Sequence, residues 1–250
     1  MSEPTAGVFT KYEARGAYHW QALGERLPNR YSARMHALYA WFVEEIHERS
    51  PATVVDVGCG DAALTHLMAR ATGGRVVGVE PEPAGLELAQ RILSEVGSPA
   101  TAVLGRGECL PFESGTVDVV TLCEVIEHVH DAAPLLREAA RVLAPHGAVL
   151  VSTPQWQRPE LRRFHVREYL GEELAELLGT HFDRVDVQVS EPGRLQDLYQ
   201  ARRAARVGLN VLSQAGLNPF GIRRPADAQR AGWRQLVAAG EAPRRMVART

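Results

Sequence analysis

The sequence predicts an α/β fold: a doubly wound, Rossmann-like and mostly parallel sheet of seven strands, with N-terminal helices and a helical insertion before the last strand. Three observations lead to this prediction. Short β-branched runs alternate with helix-like segments from about residue 52, a glycine-rich loop follows the first run, and acidic residues end the first two runs. In such sheets ligands bind outside the carboxyl ends of the strands, at the topological switch point.

Five buried parallel strands are predicted by short apolar, β-branched runs at residues 52–57, 75–80, 101–104, 117–122 and 148–153. Helices are predicted where apolar residues recur at helical spacing, in ALTHLMARA, PAGLELAQRILSEV, APLLREAARVL and, further on, EELAELLGTHF. The order of strand, helix and strand implies right-handed crossovers.

The two ends of the chain are expected to extend this core, which spans residues 51–190 and includes a sixth strand at residues 183–190. Residues 1–50 are helical in pattern and are predicted to form a lid or substrate segment. A seventh strand is predicted at residues 241–250. Residues 191–240 are then a helical insertion, too long for an ordinary connection, which we expect to cover the substrate.

Composition describes an ordinary globular chain. Its 250 residues are 45% apolar, and the formal net charge of -2 gives no overall attraction to nucleic acid or to an anionic membrane. The three cysteines match no disulfide framework or metal motif, and no segment resembles an export signal or a membrane span. We therefore expect a cytoplasmic protein without a membrane or nucleic-acid partner, whose oligomeric state, a homo-oligomer included, stays open.

The stretch VVDVGCGDAALT contains the pattern G-x-G-x-x-A, which is typical of nucleotide-binding loops but also of plain tight turns. Asp56 precedes Gly58 by two residues and would repel a diphosphate, so a ligand with an ammonium group, a ribose and no phosphate fits better. S-adenosylmethionine (SAM) has these features and a positive sulfonium. Glu80, 20 residues beyond Gly60, is placed to accept both hydrogen bonds of a ribose diol.

Four blocks of the sequence resemble the class I SAM-dependent methyltransferases, in the group that contains the ubiquinone O-methyltransferases and many antibiotic-tailoring enzymes. The blocks are VVDVGCGDAALT, VVGVEPE, ECLPFESGTVDVV and CEVIEHVHDAAPLLREAARVLAPHGAVLVSTP. They occur in the expected order and at the expected spacing over about residues 52–190.

The resemblance implies a role for each part of the donor site. The glycine loop would hold the methionine part of SAM, with Asp56 near its ammonium group, and Glu80 would bind the ribose. In the adenine segment GRGECLPF, Arg106 stands where relatives tend to have an aspartate, so Glu108 or backbone carbonyls are the candidates for the adenine contact. The residues assigned to the cofactor site are Asp56, Gly58, Cys59, Gly60, Glu80, Pro81, Glu108 and Cys123.

The segment CEVIEHVH after the fourth strand carries the candidate catalytic residues. Methyl transfer to a hydroxyl requires alignment and removal of a proton, by a general base or by a metal. Glu124, Glu127 and His128 have the spacing i, i+3 and i+4, which predicts one face of a helical turn.

Three interpretations of this segment stay open. In the first, these three residues and His165 bind Mg²⁺ or Mn²⁺, as the resemblance allows, since ubiquinone O-methyltransferases and small-RNA 3′-end 2′-O-methyltransferases use E-x-x-E-H in this way. In the second, His128 or His165 is a general base without a metal. In the third, either histidine is purely structural.

The segment RGAYHWQ places Tyr18, His19 and Trp20 near the N-terminus. Relatives often use such a segment as a lid that excludes water from SAM and substrate. The alternative is that these rings only pack the N-terminal helices onto the core.

The sequence favours a SAM-dependent enzyme that methylates an oxygen or nitrogen of a small molecule, in secondary metabolism or quinone-like chemistry. One alternative is a metal-dependent RNA 3′-end 2′-O-methyltransferase, and another is a SAM-binding module without catalysis. Asp56 argues against a nicotinamide dehydrogenase.

Overall fold

The structure, a computed structural model, describes residues 12, 15–24, 30–155, 164–190 and 235–243. Its strands are β1 (Thr53–Val57), β2 (Arg75–Glu80), β3 (Thr101–Leu104), β4 (Val117–Cys123), β5 (Leu143–Pro154), β6 (Phe182–Ser190) and β7 (Gln235–Pro243). Its helices are α1 (Tyr18–Gly24), α2 (Arg30–Arg49), α3 (Ala63–Ala71), α4 (Pro83–Glu95), α5 (Ala133–Val142) and α6 (Gly171–Gly179), with a short 3-10 turn at Ile126–His128.

The seven strands form one sheet in the order β3-β2-β1-β4-β5-β7-β6. All neighbouring pairs from β3 to β5 are parallel, whereas β7 is antiparallel to both β5 and β6. This confirms the predicted mostly parallel, doubly wound sheet. The strand order reverses between β1 and β4, so a ligand is expected at the carboxyl ends of these two strands.

The last strand begins earlier in the chain than predicted. It spans Gln235–Pro243 rather than residues 241–250, and it pairs with β5 through Val237 opposite Ser152. The physical reason is burial: Leu236 and Val237 are inaccessible to solvent between two strands, a place that suits QLVAA better than the charged PRRMVART. Residues 191–234 of the predicted insertion, and residues 244–250, lie outside the described residues.

Helices cover both faces of the sheet. On one face, α5 and α6 pack their apolar stripes against the strands, and on the other face α2, α3 and α4 do so. Leu38, Phe42 and Ile46 recur every four residues on α2 and are at most 1% exposed, which is the stripe of an amphipathic helix against a sheet. The helices thereby hold the loops at the carboxyl ends of the strands in fixed positions.

Within the described ranges, no helix has both the length and the apolar character that crossing a membrane requires.

Candidate active site

A cavity of about 570 Å³ opens at the carboxyl ends of β1, β2 and β4, where the strand order reverses. Its walls come from the glycine loop, the segments after β2, β3 and β4, residue 165, and the N-terminal helices. The predicted site residues in its lining are Tyr18, His19, Asp56, Gly58, Cys59, Glu80, Pro81, Glu108, Cys123, Glu124, Glu127, His128 and His165. The fold brings these predicted residues to one place, whereas Gly60 and Trp20 are not part of the lining.

The glycine loop has the backbone geometry that requires glycine. Gly58 and Gly60 have φ angles of 70° and 58°, in the left-handed region that side chains rarely adopt. A Cβ atom would meet the side chain of Val125 at Gly58 and the hydroxyl of Tyr12 at Gly60. The N–H groups of Gly58 and Cys59 both donate to the carbonyl of Val79, which fastens the loop to β2. Gly58 and Cys59 line the cavity, whereas Gly60 lies against Tyr12 outside the lining.

Asp56 lies buried beneath this loop, 2% exposed. The hydroxyls of Thr65 and Thr121 donate to its two carboxylate oxygens at 2.6 and 2.7 Å. Burial raises the pKa of Asp56 to about 6, and the two hydroxyls act in the opposite direction. The acid predicted near the ammonium group thus lines the cavity in an orientation that two hydrogen bonds fix.

Glu80 ends β2 and is 3% exposed. It accepts the N–H of Gly60 at 2.8 Å and the N–H of Glu82 at 3.1 Å, one on each carboxylate oxygen. Burial is the largest cause that raises its pKa, to about 7. A carboxylate oxygen accepts more than one hydrogen bond, so this geometry leaves room for a diol at the cavity wall.

The adenine segment places its two charged residues at the rim of the cavity. Arg106 lies with its Nε 3.7 Å from a carboxylate oxygen of Glu108, and its side chain is 77% exposed. An ion pair this exposed contributes little stability. Glu108 stays the predicted adenine contact, and Pro81 lies in the same lining.

The two cysteines of the cavity are neutral thiols. Burial raises the pKa of Cys59 and of Cys123 well above the usual value. A thiolate is the nucleophilic form of cysteine, so neither side chain is suited to covalent catalysis here.

The predicted helical turn with three functional residues on one face is wrong. Glu124 has a φ angle of 57°, so the chain turns sharply after β4 and the 3-10 turn starts only at Ile126. The Glu124 carboxylate instead forms an ion pair with Arg34 of α2 and accepts the hydroxyl of Ser152 at 3.3 Å. Spacing alone could not predict this, because a left-handed residue interrupts the helical period.

Glu127, His128 and His165 do come together. One ligand atom from each lies within 4.8 Å of the others, and Glu124 is not part of this group. Glu127 is fully buried and accepts the hydroxyl of Thr153 at 3.1 Å, while its backbone carbonyl accepts the N–H of Val166 at 2.8 Å. These contacts fasten the loop that carries His165 onto the turn that carries His128.

Both histidines are oriented through Nδ1. His128 Nδ1 lies 2.8 Å from the carbonyl oxygen of Phe164, and His165 Nδ1 lies 2.8 Å from a carboxylate oxygen of Glu168. Since a carbonyl accepts only, the His128 proton lies on Nδ1, and the same tautomer suits His165. The lone pairs are then on Nε2, the arrangement that metal-binding and proton-accepting histidines share.

The N-terminal segment lies over the same cavity. Tyr18 and His19 belong to its lining, whereas Trp20 packs beside it, with its ring 5.2 Å from that of His66. The wall that α2 adds to the cavity was not predicted, although its residues Tyr31, Met35 and Tyr39 recur every four residues and that period was a usable signal.

Comparisons with known proteins agree with this geometry. A family model described as a methyltransferase domain matches residues 55–151. A ubiquinone biosynthesis O-methyltransferase of Pseudomonas paraeruginosa is 32% identical over 199 residues, which are 77% of this chain and 82% of that protein. One of Azorhizobium caulinodans is 31% identical over 158 residues, 57% of this chain and 60% of that protein. The chain thus spans less than two thirds of the latter relative.

Among solved structures, the geranyl diphosphate C-methyltransferase from Streptomyces coelicolor, in complex with Mg²⁺, geranyl diphosphate and S-adenosyl-L-homocysteine, has a TM-score of 0.59. It is 19% identical, and the match covers 88% of each chain. At this identity the likeness shows a common fold. Together with the sequence relatives, it shows that the chain belongs to the class I SAM-dependent methyltransferases.

Proposed function

We propose that this enzyme transfers the methyl group of SAM to a hydroxyl oxygen of a small molecule, in secondary metabolism or quinone-like chemistry. The observation that carries the proposal is the group of Glu127, His128 and His165, which lines the same cavity as the donor residues Asp56 and Glu80. A hydroxyl acceptor must lose its proton during methyl transfer. These three side chains can bring this about, either with a histidine as the general base or through a bound cation.

The residues present fit SAM. Gly58 and Cys59 of the glycine loop line the cavity beside the two acidic donor residues, where their backbone can face the donor. Two buried carboxylates, Asp56 and Glu80, suit a ligand with an ammonium group, a sulfonium and a ribose diol better than a diphosphate. Closure of the N-terminal helices over the cavity excludes water from the transfer.

We further propose that Glu127, His128 and His165 bind a divalent cation, and that Glu124 is not a ligand. Two imidazoles and one carboxylate suit Mn²⁺ better than Mg²⁺, which prefers oxygen ligands. When bound, the cation lowers the pKa of the acceptor hydroxyl. Glu168 and the Phe164 carbonyl then hold the two imidazoles in the tautomer that a metal requires.

Label transfer from methyl-labelled SAM tests this function. An extract of the source cells is incubated with the enzyme, with and without a chelator, and then split into small-molecule and RNA fractions. We expect label in a small molecule and its loss in chelator, while SAM binding persists. Full activity in chelator would rule out a role for a metal and leave His128 or His165 as the general base. Chelator-sensitive label in RNA would contradict the small-molecule acceptor.

Donor binding is expected to weaken as the pH falls below about 7. The ionised form of Glu80 accepts both hydrogen bonds of a diol, and burial raises the pKa of this group to about 7. Below that pH a proton must leave before the diol binds, so the Kd for SAM rises roughly tenfold per pH unit. Calorimetric titration across this range measures the slope, and Glu80→Gln should flatten it down to about pH 6, below which Asp56, whose pKa burial raises to about 6, also gains a proton. An equal slope above pH 6 in the variant would assign the effect to another group.

A further inference from the structure

Asp61 is a second buried acid of the glycine loop, and it faces the N-terminal helices. It follows Gly60 directly and is fully buried. One carboxylate oxygen accepts the backbone N–H of His19 at 2.9 Å, and the other lies 3.0 Å from His19 Nδ1. The carbonyl oxygen of Asp61 accepts the indole N–H of Trp20 at 2.7 Å. Three hydrogen bonds thus connect the start of α1 to one residue of the glycine loop.

The part of the chain that Asp61 holds is the roof of the cavity. The rings of Tyr12 and Tyr18 stack with their centres 5.7 Å apart, and the Tyr18 and His19 rings lie 3.9 Å apart. The hydroxyl of Tyr12 lies against Gly60. This aromatic roof therefore covers the loop at which the donor is expected.

Asp61 is also connected to the donor side of the cavity. Its Oδ1 accepts the N–H of Ala63 at 3.3 Å at the start of α3, and the N–H of the preceding Gly60 donates to Glu80. The chain of contacts runs from His19 through Asp61 and Gly60 to Glu80. Opening of the roof would leave the buried Asp61 carboxylate without the donors that His19 supplies. A buried carboxylate without hydrogen-bond donors is unfavourable, so these contacts favour the closed roof.

We propose that Asp61 and His19 are positioning residues that hold the aromatic roof closed over the bound donor, and so set how fast SAM leaves. This proposal rests on the donor site described above. The charge-assisted hydrogen bonds between α1 and Asp61 must break for the roof to open, and re-form when it closes on the donor. Neither residue takes part in the removal of the acceptor proton.

His19→Ala tests the proposal, with a thermal unfolding midpoint near the native one as the check that the fold is intact. We expect the dissociation rate of SAM, measured by stopped-flow fluorescence, to rise about tenfold, the scale of one charge-assisted hydrogen bond. The KM for SAM should rise with it, while kcat and the KM of the acceptor stay within about twofold. His19→Asn, whose amide can donate from the position of Nδ1, should recover most of the loss.

Asp61→Asn provides the second arm. It should raise the dissociation rate similarly, and the double variant should be no faster than the faster single variant, since both substitutions remove the same side-chain contact between His19 and Asp61. His47→Ala is the matched control: it removes an exposed histidine in the last turn of α2, outside the cavity lining. Its dissociation rate should not change.

Additive effects of the two substitutions, or unchanged dissociation in His19→Ala, would overturn the proposal. If Glu80→Ala weakens SAM binding and His19→Ala does not, only the role of Asp61 and His19 fails. If neither substitution changes SAM binding, the donor site itself is misplaced.

Discussion

Replacing His128 by asparagine is expected to lower kcat by about 10²- to 10⁴-fold, the usual contribution of a positioned acid–base group. The asparagine amide can still donate to the Phe164 carbonyl, 2.8 Å from Nδ1 in the native protein, but the lone pair of Nε2 is lost. The acceptor hydroxyl then keeps its proton. The Kd for SAM should stay within about twofold, because Asp56 and Glu80 are untouched.

His130→Asn is the matched control for this experiment. His130 is exposed, lies two residues further along the chain and is not part of the cavity lining. Single-turnover kinetics with saturating SAM should show native rates for this variant. Native rates in His128→Asn as well would make that histidine structural.

His165→Ala separates the metal from the simple base. If the cation is bound by Glu127, His128 and His165, both histidine variants should lose activity together and bind Mn²⁺ at least 10- to 100-fold more weakly, since that is already the cost of losing a residue that only orients a ligand. If one histidine is the base, one variant should lose far more activity than the other. Mn²⁺ binding followed by electron paramagnetic resonance gives a readout that does not depend on turnover.

Replacing Glu80 by alanine is expected to weaken SAM binding by about 1.5 to 3 kcal/mol, which is roughly 10- to 150-fold in Kd. The variant removes the carboxylate that would accept the ribose diol, and it also removes the partner of the Gly60 and Glu82 N–H groups. SAM and S-adenosylhomocysteine carry the same ribose, so calorimetric titrations of both ligands should show the loss of affinity.

Glu87→Ala is the control for Glu80→Ala. Glu87 lies on α4, is exposed and stands outside the cavity, so its removal should leave SAM binding unchanged. Unchanged affinity in Glu80→Ala would mean that the acid at the end of β2 does not hold the ribose.

Much of the core could be predicted because its signals are local. The strand runs are buried on both faces and read as continuous β-branched stretches, and α3 begins and ends at the residues that its periodicity indicated. Asp56 lies near the end of β1 and Glu80 ends β2, so the positions of these two strands determine where both acids lie. These two positions followed from parallel pairing, which brings carboxyl ends to one edge.

The parts that could not be predicted depend on tertiary contacts or on single backbone angles. The left-handed conformation of Glu124 breaks a helical spacing that looked regular, and Arg34 reaches its carboxylate from 90 residues away. Asp61 directly follows the two glycines of the loop, yet its partners His19 and Trp20 lie 42 and 41 residues earlier in the chain. Spacing cannot reveal such pairs, because only the fold brings them together.

A crystal structure with S-adenosylhomocysteine bound would test the central claim most directly. We expect the ribose diol within hydrogen-bond distance of Glu80, the methionine part along the Gly58 to Gly60 loop, and the sulfur facing Glu127, His128 and His165. A ribose held by other residues, or a sulfur turned away from the two histidines, would contradict it.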